Sequence, residues 1–417
     1  MTFCLVCMIY KRMYIYTTNY KPMEKKLQRI QSIDVLRGII MVIMALDHTR
    51  DYFHAGGMTG DPTNMETTTP FLFFTRWITH YCAPLFVFLS GTSIYMQSLR
   101  KTKKELSWFL FTRGLWLVIA ECTLVSFGWS FDLSFDFFFL QVIWAIGFSM
   151  IIISGLVFFN YRVLVALGVA ITALHNIFDY YSFANPVADF AANMFVLTEF
   201  QPFPVWEGAQ VMFAYAILPW TGVMLLGYAA GRWYNPAIFT PETRRKGLIA
   251  AGFLVMALFI VLRAINSYGD PRPWEIQRNF TYTVLSFLNV TKYPPSLMYA
   301  CMTIGPGLLA LAAIENIRNR FTNIMNIFGR VPFFYYLLHI YVIHLLCIPV
   351  YFASGFTVAD LETTKMWFAI FVPDENYGFS LGIVYLIWLF VIFLCYFPSR
   401  WYNNYKSTHK KWWLSYI

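Results

Sequence analysis

The ionisable residues best suited to chemistry crowd one otherwise apolar stretch, SIDVLRGIIMVIMALDHTRDYFH at residues 32–54. It carries Asp34, Arg37, Asp47, His48, Arg50, Asp51 and His54. An imidazole exchanges protons near neutral pH, and a carboxylate one helical turn away orients it and balances its charge. Asp51 stands one turn from both His48 and His54, and Asp47 adjoins His48, so this end of the stretch holds the parts of a general base. On a 3.6-residue period Asp34, Arg37, His48 and Asp51 share one narrow face, with Met41 and Met44 between them. Arg37 and His48 are separated by about 16 Å of helix axis and cannot touch. A ligand engaging both would be long, anionic at Arg37 and reactive at His48, the shape of a coenzyme A thioester. The plainer alternative makes Asp34–Arg37 a buried i,i+3 ion pair and leaves the histidines as interfacial groups.

The elements that position these residues follow from composition. Of 417 residues, 58% are apolar and 13% charged, and aromatics reach 20%. Soluble domains run nearer 45–50% apolar and about 25% charged. A chain so poor in charge cannot cover a water-facing surface, so it is an integral membrane protein. Soluble, disordered, disulfide-scaffold and nucleic-acid-binding classes are excluded. Ten apolar runs are long enough for membrane helices: 33–54, 70–98, 107–127, 137–159, 163–181, 209–231, 247–267, 296–314, 331–353 and 379–397. None alternates as a strand would, so the expected fold is an all-α polytopic membrane protein of about ten transmembrane helices. Threading these runs through a bilayer puts 22 Lys and Arg on one side and five on the other. Arg37, Arg76, Arg113 and Arg263 fall inside the spans. The positive-inside rule then places both termini in the cytoplasm. The formal charge of +9 is thus an orientation signal, and no nucleic acid is needed to explain it. Most carboxylates fall on the opposite side, where the long loops at 181–208 and 268–295 are the natural place for an acceptor. The domains expected are a leader at 1–28, a membrane domain at 29–398 and a basic cytoplasmic tail at 399–417. Residues 1–22 read as an over-called start or a dispensable leader, because the basic pair Lys11-Arg12 follows the first apolar run instead of preceding it.

Several further positions stand out. Arg76 and His80 lie one turn apart ahead of CAPLFVFLSGTS, whose Ser90, Gly91 and Ser93 also permit close helix approach. Glu121 is an intramembrane acid whose partner must lie on another element. Lys292 heads the KYPPS turn, where it could meet an anion or serve as an interfacial anchor. Tyr335, Tyr336, His339 and His344 read as aromatic packing with satisfied hydrogen bonds. The cysteines Cys82, Cys122, Cys301, Cys347 and Cys395 are scattered through apolar runs, and only Cys4 and Cys7 are closely spaced. No metal site or disulfide framework is expected. A phosphate-binding glycine loop and an internal repeat are both lacking, which counts against nucleotide-triphosphate chemistry and an inverted-repeat transporter.

SIDVLRGIIMVIMALDH followed by ITHYCAPLFVFLSGTS resembles the heparan-alpha-glucosaminide N-acetyltransferase catalytic-domain-like family of bacterial membrane proteins. TKYPPSLMY and GRVPFFYYLLHIYVIHL extend the resemblance over essentially the whole chain from about residue 29. The chain is also similar to the broader transmembrane acyltransferase superfamily, whose first helix carries an arginine, ten residues and a histidine, as Arg37 and His48 do here. The resemblance implies a multi-pass protein of the bacterial inner membrane. Such a protein takes an acyl group, in the first place acetyl, from cytoplasmic acetyl-CoA to an amine or hydroxyl of an extracytoplasmic glycan or amino sugar. It also implies roles: His48 as base with Asp51 or Asp47 holding the ring, and Arg37 and Arg113 on the CoA. Arg76, Ser90 and Lys292 are then set to bind substrate or steady the oxyanion. A homodimer and a covalent acyl-histidine both stay open. Two departures matter. The heparan enzyme has an asparagine where His48 stands and a later catalytic histidine, which makes His54 the competitor. Trp116 replaces the second arginine of a pair that begins at Arg113. The competing readings are a transporter or lipid-carrier flippase using the charged stripe as a relay, and a purely structural membrane partner.

Overall fold

The computed structural model describes residues 30–361, 369–372 and 377–416. The leader expected over 1–28, with Cys4 and Cys7, lies outside them. The first half contains α1 (Gln31–Phe53), α2 (Pro70–Thr79), α3 (Cys82–Ser98), α4 (Lys103–Ala120), α5 (Ser126–Ser130), α6 (Val142–Leu156), α7 (Tyr161–Leu174) and α8 (Pro186–Phe195). The second half contains α9 (Ile217–Gly231), α10 (Pro241–Ile265), α11 (Phe280–Leu288), α12 (Leu297–Ile314), α13 (Arg320–Arg330), α14 (Pro332–Ala353) and α15 (Leu381–Thr408).

Among the described residues, seven helical segments are long and apolar enough to cross a membrane. They are Pro70–Ser98, Lys103–Ser130, Tyr161–Tyr180, Pro241–Ile265, Leu297–Ile314, Pro332–Ala353 and Leu381–Thr408. Three of the ten expected runs fall outside this set. Helix α1 has the length, at 23 residues, but its five Asp and Arg residues set it apart from the apolar helices. The runs at 137–159 and 209–231 begin as short strands instead, which adds one small sheet to a mostly helical fold. Strand β1 (Phe137–Leu140) pairs in parallel with β3 (Ala209–Phe213), and β2 (Phe203–Trp206) pairs antiparallel to β3, giving the order β1-β3-β2. A continuous apolar run cannot by itself separate a buried strand from a buried helix, even where Phe and Val lean toward the strand. What remains helical, α6 and α9, is 15 residues each, about 22 Å and short of a hydrocarbon core of about 30 Å.

Helix α1 lies at the centre, packed by α2, α3, α12, α13, α14 and α15. Its crossing with α13 is backbone to backbone. A Cβ on Gly38 would collide with the Met325 carbonyl, and one on Gly329 with the Asp34 carbonyl. Gly91 and Gly227 bring α3 and α9 together in the same way. On the other flank, the Trp388 indole donates to the Val42 carbonyl at 2.8 Å.

Four local devices shape the site. Pro84 cannot return an N–H to the His80 carbonyl four residues back, so the chain breaks between α2 and α3. The Tyr299 hydroxyl donates to that carbonyl instead, at 2.7 Å. Between α4 and α5, the π-turn Glu121–Val125 carries a fully buried acid. Its carboxylate accepts the backbone N–H of Gln141 at 2.8 Å and of Trp144 at 3.1 Å, so it caps α6 from a neighbouring helix. That is the partner missing from its own helix. Arg263, at the end of α10, donates to the carbonyls of Arg272, Ser286, Phe287 and Asn289. Asp270 accepts from the Thr291 amide and hydroxyl and from the Ser296 hydroxyl. Together these two residues tie down the segment that presents Lys292. Cys82, Cys301, Cys347 and Cys395 are buried and Cys122 is partly so; all five are free thiols. Helix α15 continues into the expected tail as far as Thr408, and Leu414 folds back onto Val331 and Tyr402.

Candidate functional site

Asp47 is a buried hub. Arg76, reaching in from α2, donates from Nη1 to both of its oxygens at 2.5 and 2.6 Å. The Thr79 hydroxyl donates to it at 2.9 Å, Arg50 lies at 3.1 Å and Lys292 Nζ at 4.0 Å. A buried carboxylate is costly unless paired and hydrogen-bonded, and here it gathers three cations from three parts of the chain. Arg50 also meets Asp51 at 2.5 Å, so two carboxylates face three cations and the cluster has a net positive bias. Lys292 sits 4.8 Å from the centre of the Tyr293 ring. Burial alone would raise the Tyr293 phenol, but the cations of Lys292 and Arg76 outweigh it and hold it below the ordinary tyrosine value. Two buried nitrogens at this cluster, Arg50 Nη1 and His80 Nδ1, have no hydrogen-bond partner among the described residues. They are open positions for a ligand group or water.

His48 leaves the same turn of α1 on another face. Its Nδ1 lies 2.8 Å from Nε2 of His339 on α14. The two rings lie side by side, their centres 5.0 Å apart and their planes 19° from parallel, and Trp129 stands edge-on to His48 at 4.8 Å. Trp129 is itself fixed: its carbonyl accepts from the Tyr52 hydroxyl, and its indole donates to the Tyr336 hydroxyl at 3.4 Å. The short helix α5 therefore supplies one wall around His48, and α14 supplies the other. Unlike Asp47 and His339, His48 is partly exposed.

The far end of α1 holds Arg37. It pairs with Asp34 at 3.0 Å, as the i,i+3 spacing allowed. It also donates to the Gly329 carbonyl and the Ser93 hydroxyl, each at 3.1 Å. The glycine crossing of α1 and α13 is what brings that carbonyl within reach. The Arg113 guanidinium lies close enough to Arg37 for the two charges to repel, and it sits 5.9 Å from the Phe109 ring. Two guanidinium groups at one end, and a histidine with a cationic cluster at the other, fit a ligand with separate anionic and reactive parts.

The tertiary structure therefore joins Asp47, Arg76 and Lys292, sets His48 beside them, and keeps Arg37 and Arg113 as a separate pair. Other expected members stand apart. Asp51 spends its carboxylate on Arg50 instead of bonding an imidazole, because the adjacent guanidinium is nearer and charged. His54 lies past the end of α1, where its backbone bridges Phe379. Ser90 donates to the Phe86 carbonyl of its own helix at 2.9 Å, beside the Gly91 crossing, so its visible role is packing. Three contributors stood out in the sequence without being assigned to the site: His339, Arg50 as a partner of Asp47, and His80 as an open donor or acceptor. Helical spacing did mark Tyr335, Tyr336 and His339 as polar groups at one level of α14, but only packing shows that His339 faces His48. Among the described residues, no group of three or more His, Cys, Asp or Glu is arranged to hold a metal.

Residues 29–262, more than half of the chain, match the family described as "Heparan-alpha-glucosaminide N-acetyltransferase, catalytic". No curated protein matches. The matched region carries Arg37, Asp47, His48, Arg76 and Arg113, whereas Lys292 and His339 lie beyond it.

Proposed function

The chain belongs to the heparan-alpha-glucosaminide N-acetyltransferase catalytic family, and we propose that it carries acetyl groups from cytoplasmic acetyl-CoA across a bacterial inner membrane to a sugar amine or hydroxyl. Acetyltransferase-type chemistry in a multi-pass membrane protein follows from the family and the seven long apolar helices. The finer reading rests on one observation above all. Helix α1 carries Arg37, within electrostatic reach of Arg113 on α4, at one end and, about 16 Å away, His48 flanked by a cation-rich cluster at the other.

In this reading Arg37 and Arg113 hold the CoA phosphates, with the pantetheine arm along the α1 face. The thioester carbonyl then lies by His48. The acceptor, an amine or hydroxyl, loses its proton to His48 as its nitrogen or oxygen bonds to the carbonyl carbon. Lys292, Arg76 and Arg50 supply the positive field for the oxyanion and the acceptor, while Asp47 keeps them from repelling one another. The carbon–sulfur bond breaks and the thiolate takes the proton back from His48 as CoA thiol. The 22-to-5 basic asymmetry supports the Arg37 end as cytoplasmic, which leaves the Asp47 cluster and the 268–295 loop facing outward.

The test is CoA-thiol release by purified protein in nanodiscs given acetyl-CoA and glucosamine, with a panel of other amino sugars and sugar alcohols. Acceptor-dependent release with acetylated product is expected. Failure to bind acetyl-CoA, with no release on any acceptor, would discard the transferase in favour of the transporter or flippase.

A further inference from the structure

We propose that His339 selects the reacting nitrogen of His48, holding that ring in the tautomer protonated at Nδ1 and leaving the Nε2 lone pair free as the base. The inference rests on the reading of His48 as general base and names a residue outside the family-matched region.

The partners of the two rings fix where the protons sit on all four ring nitrogens. His339 Nδ1 lies 2.9 Å from the Tyr335 carbonyl, one turn back on α14. A carbonyl oxygen only accepts, so His339 Nδ1 carries a hydrogen. His339 Nε2 and His48 Nδ1 are 2.8 Å apart, a distance that requires one N–H and one lone pair. If His339 is neutral, its Nε2 is the lone pair, His48 Nδ1 is the donor and His48 Nε2 is unprotonated. The opposite polarity needs a cationic His339. That charge would sit on a ring with 0% exposure, stacked over Tyr335 at 5.3 Å, with no carboxylate in contact among the described residues. Such a charge carries the full desolvation cost, so the neutral arrangement wins.

Packing then locks the choice. Trp129 and Tyr336 stand edge-on to the His48 ring, and turning it over would exchange Nδ1 for a carbon and lose the bond to His339. During transfer, the acceptor N–H or O–H bond breaks and its proton bonds to His48 Nε2. The acceptor atom bonds to the thioester carbon, the C–S bond then breaks, and the sulfur takes the Nε2 proton. His339 keeps its own protons throughout. It accepts the His48 Nδ1–H before, during and after, and so favours the imidazolium that forms. This is the work a carboxylate does behind a catalytic histidine in other enzymes. Asp51, the residue the spacing offered for that work, is engaged with Arg50. His339 is therefore a positioning residue.

The test compares His339→Gln with His339→Leu in the full-length protein. The Gln carbonyl can accept the His48 Nδ1–H, whereas Leu fills the space and accepts nothing. His339→Gln should keep kcat within about 10-fold, and His339→Leu should lose about 100- to 10,000-fold, both with unchanged KM for acetyl-CoA. Nitrogen-15 NMR of histidine-labelled wild-type protein should show His48 with hydrogen on Nδ1 and a bare Nε2, a signature lost in His339→Leu. The wild-type spectrum tests the tautomer without any variant having to fold. A bare Nδ1 in the wild type, equal losses in both variants, or full activity in His339→Leu would each overturn the inference. If His48→Ala is dead while His339→Leu is fully active, only the role of His339 falls. If His48→Ala is also fully active, the base reading falls with it.

Discussion

Replacing Asp47 by Asn tests whether one carboxylate holds the site together. The change keeps shape and removes one charge. Arg50 retains Asp51 at 2.5 Å, so the loss falls on Arg76 and Lys292, whose ion-pair partner is Asp47. Two unit charges 4 Å apart attract by about 4 kcal/mol at an effective dielectric near 20, and Arg76 lies closer than that. Removing one member of a buried pair usually costs about 3–5 kcal/mol, because the other stays buried and charged. Asp47→Asn should therefore destabilise the protein by about 3–5 kcal/mol. The double variant Asp47→Asn with Arg76→Met should be less destabilised than the two single costs added together, by about 0.5–3 kcal/mol of coupling. Unfolding in mixed SDS micelles, followed by tryptophan fluorescence, reads all three variants on one scale. A wild-type midpoint for Asp47→Asn, or strictly additive costs, would refute the account of Asp47 as the hub.

Three other outcomes are expected. His48→Ala should cut acetyl transfer by about 100- to 10,000-fold while acetyl-CoA still binds, and His54→Ala should cost far less; the reverse order in the same CoA-release assay would move the chemistry to His54. Arg37→Ala should raise KM for acetyl-CoA with little change in kcat, since it acts on binding at a distance from the reacting carbon; an equal fall in kcat, measured at saturating donor, would place Arg37 in the chemical step. In a cysteine-free background, Asp61→Cys and Phe200→Cys should react with an impermeant thiol reagent applied to intact cells while Lys104→Cys is protected; labelling only of Lys104→Cys would invert the orientation.

Much of the functional argument is local, and local patterns are visible in a linear chain. Composition alone demanded a membrane protein, because 13% charged residues cannot solvate a fold of this size. The 3.6-residue period put Arg37 and His48 on one helix face at a distance set by the rise per residue, and the i,i+3 spacing anticipated Asp34–Arg37. Glu121 announced, by its isolation, that its partner lay on another element.

What tertiary structure decided was which side chains meet across the bundle. His339 is 291 residues from His48, and no periodicity in α14 says which of its faces meets α1. Lys292 reaches Asp47 only because Arg263 and Asp270 tie down a segment with little regular structure, using carbonyls and hydroxyls that carry no sequence signal. Asp51 was a reasonable orienting group on spacing grounds, yet the side chain beside it, Arg50, holds it more strongly than a neutral imidazole could. The two apolar runs that open as strands were unreadable for a related reason. Hydrophobicity records that a segment is buried, and its hydrogen-bond partners, which decide helix against sheet, are supplied by the rest of the chain.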